Sequence, residues 1–239
     1  MRYGVTIVRK VSPKRWVKIR YLGHSGFWVR TKTEGSFVID PWLSKFGDLL
    51  PFATGDITPV DLLLITHDDK DHCDPYSVNE IVKNTGARVV APQRSLERLG
   101  LKERLVMIGD TLSVKGVRIE VVKADHGFGR DPNCVGYVFT TEDGLTLYHA
   151  CDGDPKDPSL RSRKTDILMI KIQSGIYPLN LHDVIEAVRV ISPKIAIPMH
   201  YYGPSVKKND PRKFEAEVSK FSQTFVIVFD VGQEKIIEI

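Results

Sequence analysis

The stretch Thr66-His67-Asp68-Asp69-Lys70-Asp71-His72 places four potential metal ligands, His67, Asp69, Asp71 and His72, within six residues. Imidazole and carboxylate together suit Zn, Mn or Fe rather than a soft thiolate site. An Asp-rich loop can also cap a helix, but two histidines among the carboxylates exceed what capping requires. Three further candidates lie along the chain: His126 in Ala124-Asp125-His126-Gly127, Asp152 in Ala150-Cys151-Asp152-Gly153, and His200 after Ile195-Ala196-Ile197-Pro198-Met199. Taken singly, each would read as a structural or surface residue. Together with the loop they offer nitrogen and oxygen donors enough for two metals sharing a bridge.

Hydrophobic patterning predicts the elements that must position these residues. Short β-branched or aromatic runs at 17–22, 27–31 and 36–39 are separated by glycine-containing turns and predict strands. A Pro/Gly-rich loop follows over 41–59. Residues 60–66 are apolar almost throughout and predict a fully buried strand leading straight into the His/Asp loop. Pro75 opens a helix to about residue 84. Strands are expected at 88–91, 105–108, 111–114, 117–123, 135–140, 145–149, 166–170, 195–198 and 225–229. Helices are expected at 93–99, 181–191 and 212–221. Each candidate ligand thus falls just past a strand, where α/β sheets present functional residues.

Composition narrows the class. The 239 residues are 42% hydrophobic and 27% charged, as in an ordinary globular protein. No apolar run approaches the roughly 18 residues of a membrane-spanning helix, so no membrane is expected as partner. The N-terminus lacks the apolar core of a secretory signal. Three cysteines without a C-x-x-C pair argue against a disulfide framework and for a reducing, cytoplasmic setting. The net charge of +4 is local: residues 1–20 carry seven basic side chains and no acidic one. That segment fits either an anionic partner or an edge strand that uses Lys and Arg to block aggregation.

In their order, these motifs resemble the metallo-β-lactamase superfamily of metal-dependent hydrolases, in particular the small single-domain branch that includes the ascorbate-phosphate lactonase type. Leu22-Gly23-His24-Ser25-Gly26-Phe27, Ile39-Asp40-Pro41, the 66–72 loop, Tyr148-His149-Ala150 with Asp152, and Ile197-Pro198-Met199-His200-Tyr201 carry the resemblance over nearly the whole chain. It implies an α/β fold, a four-layer αββα sandwich, as one domain over residues 1–239. Carried over by position, it implies a first metal site of His67, residue 69 and His126. The second would use Asp71, His72 and His200, with Asp152 bridging. The cofactor would be one or two divalent ions, Zn or Mn foremost, with Fe and Mg as further options. The family usually has His where this chain has Asp69, which hardens the first site toward Mn, Fe or Mg and puts its occupancy in question.

The implied activity is attack of a metal-bound hydroxide on an ester, lactone or related bond of a small molecule, with Asp71 as the catalytic residue that orients the water. His24 would orient a ligand or simply hold its turn, and Asp40 would accept hydrogen bonds from the metal loop. His149 is expected to be a satisfied core histidine and His182 a surface residue. Cys73 and Cys151 adjoin the candidate ligands and are expected to be small buried side chains. Arg130, Arg161, Arg163 and Lys164 could bind an anionic substrate or remain solvated loop cations. Two rivals stay open: a phosphodiesterase or nuclease acting on RNA or DNA, supported only by the basic N-terminus, and a non-catalytic metal-binding protein whose site has degraded at Asp69. A homo-oligomer is compatible with all three.

Overall fold

The computed structural model describes residues 14–46, 50–102, 104–126, 133–173, 179–201 and 210–239. Alternating apolar residues give β1 (Trp16–Gly23) and β2 (Gly26–Thr31), which pair antiparallel, as does β2 with β3 (Ser36–Ile39). From β3 the sheet continues in parallel through β4 (Leu62–Leu64), β5 (Arg88–Ala91) and β6 (Arg104–Leu105). The second sheet repeats the plan. β7 (Thr111–Val114), β8 (Val117–Lys123), β9 (Val135–Thr140) and β10 (Thr146–His149) are antiparallel neighbours. β11 (Ile167–Lys171), β12 (Ile195–Met199) and β13 (Phe225–Val226) then run parallel to β10. β14 (Glu234–Glu238) returns to pair with β1, making two seven-stranded mixed sheets.

The sheets face each other across an apolar interior, with Phe37 of β3 and Phe139 of β9 in ring contact at 5.5 Å. The outer face of the first sheet carries α1 (Leu43–Phe46), α2 (Pro75–Thr85) and α3 (Gln93–Leu99). α4 (Pro158–Arg161), α5 (Leu181–Ile191) and α6 (Pro211–Phe221) lie against the second. The layers are therefore αββα, as the motifs imply. Val184, Ile185, Val188 and Ile191 form the buried stripe of α5, each worth about 1.5–3 kcal/mol of burial. α2 begins where the sequence places it: Asp74 accepts the Ser77 N–H, Pro75 needs no partner for its nitrogen, and Gly86 at φ 67° ends the helix.

Parallel strands put their carboxyl ends on one rim. There the two sheets are joined by hydrogen bonds between polar groups. The Val135 N–H donates to Thr66 O (3.0 Å), the Tyr137 hydroxyl to Ile65 O (2.7 Å), and the His200 N–H to His24 O (2.8 Å). His149 Nε2 lies 3.0 Å from Ser25 O.

Two expectations need correction. The run at 225–229 enters the ladder only over Phe225–Val226, and the true last strand is β14. Because β14 covers it, β1 is not an edge strand. Its cations Lys18 and Arg20 pair with Glu234, and just before it Arg15 pairs with Asp166 and Lys14 with Glu238.

Gly23 closes β1 at φ 97°, and a Cβ built there would lie 2.7 Å from the Phe46 ring. Gly23→Ala is expected to cost about 1–3 kcal/mol, measurable as a lower midpoint of thermal unfolding.

Candidate metal centre

The centre starts from the parallel pairing of β3 and β4, which brings Asp40 and Thr66 side by side just beyond the strand ends. Asp40 is fully buried. Its Oδ1 accepts the Thr66 N–H (2.9 Å), and its Oδ2 accepts the Thr66 hydroxyl (2.6 Å) and faces His72 Nδ1 (2.8 Å). The Thr66 hydroxyl oxygen also lies 3.0 Å from His67 Nδ1. An Nδ1–H on each histidine satisfies these contacts and directs both Nε2 atoms to serve as lone-pair donors once a cation displaces their protons.

The seven proposed ligands, with His24 and Asp40, gather at this rim. In one cluster the ligating atoms of His67, His126 and Asp152 lie within 4.8 Å of one another, as do those of His24, Asp71, His72 and His200 in a second. Asp69 joins the first cluster, its Oδ2 3.4 Å from the Nε2 atoms of both His67 and His126. Asp152 spans the two: Oδ1 is 3.5 Å from His72 Nε2, and Oδ2 is 3.4 Å from His200 Nε2 and 3.7 Å from His126 Nε2. Asp71 Oδ2 lies 2.9 Å from His24 Nε2 and 3.7 Å from His200 Nε2.

The residues fit a divalent cation by an independent measure. The Nε2 atoms of His67, His72 and His126, with Asp152 Oδ1, are buried and have no hydrogen-bond partner. Buried polar atoms are seldom left so, and these four are metal-ligating types. Electrostatics agree. The neighbouring imidazoles of His126 and His67 hold the Asp69 carboxyl far below the usual range. Burial opposes ionisation of Asp152, yet His200, Lys171, His72 and His67 keep it well below that range. Burial likewise opposes charge on His72, but Asp152 and Asp40 raise it to about 9. Burial pushes His200 down to about 3. Ionised carboxylates packed among imidazoles make a pocket that attracts positive charge.

Several participants escape sequence reasoning. Thr66 links Asp40 to His67. Lys171 Nζ donates to Asp152 O at 2.5 Å. Cys134 and Cys151 are free thiols 3.3 Å apart, and Cys151 Sγ lies 3.5 Å from His67 Nδ1. The Trp42 ring meets the His24 ring edge-on at 5.3 Å. His24, Asp40, Cys151 and His200 all have positive φ, between 42° and 64°, backbone strain of the kind that collects at functional sites. Away from the centre, Arg161 donates to Pro155 O and Lys164 to Val190 O, while Arg163 lines a groove with Glu120, Thr140 and Tyr148. Arg130 lies outside the described residues.

An αββα sandwich carrying clustered His and Asp donors on the rim of its parallel strands defines the class of metal-dependent hydrolases with the metallo-β-lactamase fold. Residues 18–200 match the model of the Beta-lactamase superfamily domain. Over 231 residues the chain is 32% identical to the UPF0173 metal-dependent hydrolase of Thermoplasma acidophilum, covering 93% of this chain and 99% of that one. A namesake from Staphylothermus marinus is 33% identical, with 90% and 96% covered. Among solved structures, Igni18, a metallo hydrolase from Ignicoccus hospitalis, shares the fold with a TM-score of 0.79 at 24% identity, covering 94% of this chain and 99% of that one. The chain belongs to the UPF0173 metal-dependent hydrolase family of the beta-lactamase superfamily. No described helix is long and apolar enough to cross a membrane.

Proposed function

We propose that this hydrolase cleaves an ester, lactone or related carbonyl bond of a small molecule. His67, Asp69, His126 and Asp152 would hold one divalent cation, and Asp71, His72 and His200, with Asp152, would hold a second. The observation that carries this assignment is the set of buried, unpartnered Nε2 and carboxylate atoms converging from both sheets. Bound there, a divalent cation polarises a carbonyl and acidifies water toward neutral pH. The protein's own groups do the rest. Asp40 and Thr66 fix the tautomers of His72 and His67, so that Nε2 presents a lone pair. His24 steadies Asp71, whose partly exposed carboxylate is placed to orient water. Trp42 packs edge-on against the His24 ring and braces it. The three free thiols agree with a reducing, cytoplasmic setting.

Metal-reconstituted protein assayed against esters, lactones and phosphodiesters tests this function. Chelator-sensitive turnover of carbonyl substrates is expected. Turnover confined to phosphodiesters would replace it with the nuclease alternative; of the basic residues that motivate that alternative, Arg2, Arg9 and Lys10 lie outside the described residues.

Asp69 supplies oxygen rather than nitrogen to the first ligand set, which shifts its preference away from Zn and toward Mn or Fe. Asp69→His is expected to raise the ratio of bound Zn to bound Mn. Elemental analysis after dialysis against equal Zn and Mn measures the ratio.

A further inference from the structure

We propose that Lys171 is a positioning residue of the metal centre, anchoring the carboxylate that both ligand sets share; this rests on the function proposed above. Lys171 ends β11, behind Ile167, Leu168, Met169 and Ile170, and like them it is buried, at 4% exposed. A buried ammonium is costly without partners, and here the partner is Asp152. Lys171 Nζ donates to Asp152 O at 2.5 Å and lies 3.9 Å from Asp152 Oδ2.

The backbone explains why Asp152 needs an anchor. It stands on a loop three residues past β10, beyond Cys151 at φ 54°. The parallel register His149↔Met169 carries β11 forward beside that loop, so Lys171 grips it from the neighbouring strand. The grip matters because Asp152 faces His72 with one oxygen and His126 and His200 with the other. A small shift of the Asp152 backbone would disturb both sets at once.

Two roles for Lys171 have opposite signs. As a bare charge it repels a divalent cation, so its removal would tighten metal binding. As an anchor it holds the donor geometry, so its removal loosens binding. The short bond to the main chain, against the longer approach to Oδ2, favours the anchor.

The test compares wild type, Lys171→Met and Lys171→Gln after metal is stripped and restored. Competition with a chromophoric chelator gives Mn and Zn dissociation constants, and the visible spectrum of the cobalt-substituted protein reports ligand geometry. Lys171→Met is expected to weaken binding by about 10- to 100-fold and to alter the cobalt spectrum. Lys171→Gln keeps a donor but no charge, and is expected to lose less than Met does. Wild-type affinity combined with unchanged or tighter binding by Lys171→Met overturns the anchor alone. If Met does not fold, equal or tighter binding by Gln than by wild type overturns it. A wild type that binds no divalent metal overturns the metal centre and the anchor with it.

Discussion

His67→Ala and His200→Ala are each expected to lower kcat/KM by about 10³-fold or more, about 4 kcal/mol of transition-state stabilisation. The two residues stand in different clusters and on different sheets, His67 beyond β4 and His200 beyond β12. A shared loss would therefore mean that both ligand sets serve one reaction. Each variant removes one imidazole at the rim while leaving the strand behind it intact, so circular dichroism should remain that of the wild type. A chelator should produce the same loss in the wild type, reversed by adding metal. Full activity in metal-stripped protein, or in either variant, would sink the assignment.

Asp40→Ala is expected to be the most destabilising change near the centre, by about 3–5 kcal/mol. Its carboxylate is fully buried and meets the Thr66 N–H, the Thr66 hydroxyl and His72 Nδ1. Alanine leaves all three without their partner. Asp40→Asn keeps the volume but replaces one acceptor oxygen by a donor. It should cost about 1–3 kcal/mol and weaken metal binding about 10- to 100-fold by releasing the His72 ring. Denaturant unfolding of the metal-free protein and metal titration separate the two effects. Unchanged stability in Asp40→Ala would refute the network drawn from these distances.

What the sequence makes legible depends on how local the signal is. Covalent spacing alone brings His67, Asp69, Asp71 and His72 together, and the buried run before them marks the strand that presents them. His126, Asp152 and His200 lie far apart in the chain, and only the order of their motifs relates them. Thr66 gains its role through the parallel pairing of β3 with β4, which no short window reveals. β14 escapes because its Glu-Lys-Ile-Ile-Glu pattern is weak until Glu234 meets Lys18 and Arg20 and Glu238 meets Lys14. The contact of Cys134 with Cys151 joins the start of β9 to the loop after β10, across two strands. Lys171 did carry a usable signal: a lone cation closing an otherwise apolar strand must find a buried partner.

The hydrogen bonds that join the two sheets at the rim have a consequence for metal uptake. They lock the donors of one sheet in register with those of the other, through Thr66 and Val135, Ile65 and Tyr137, His24 and His200. The configurational entropy of bringing together side chains from opposite halves of the chain is therefore spent when the polypeptide folds. An arriving cation finds a socket already assembled and has only to shed water and displace protons. Among the described residues, uptake then draws on donors that the folded rim already holds in place.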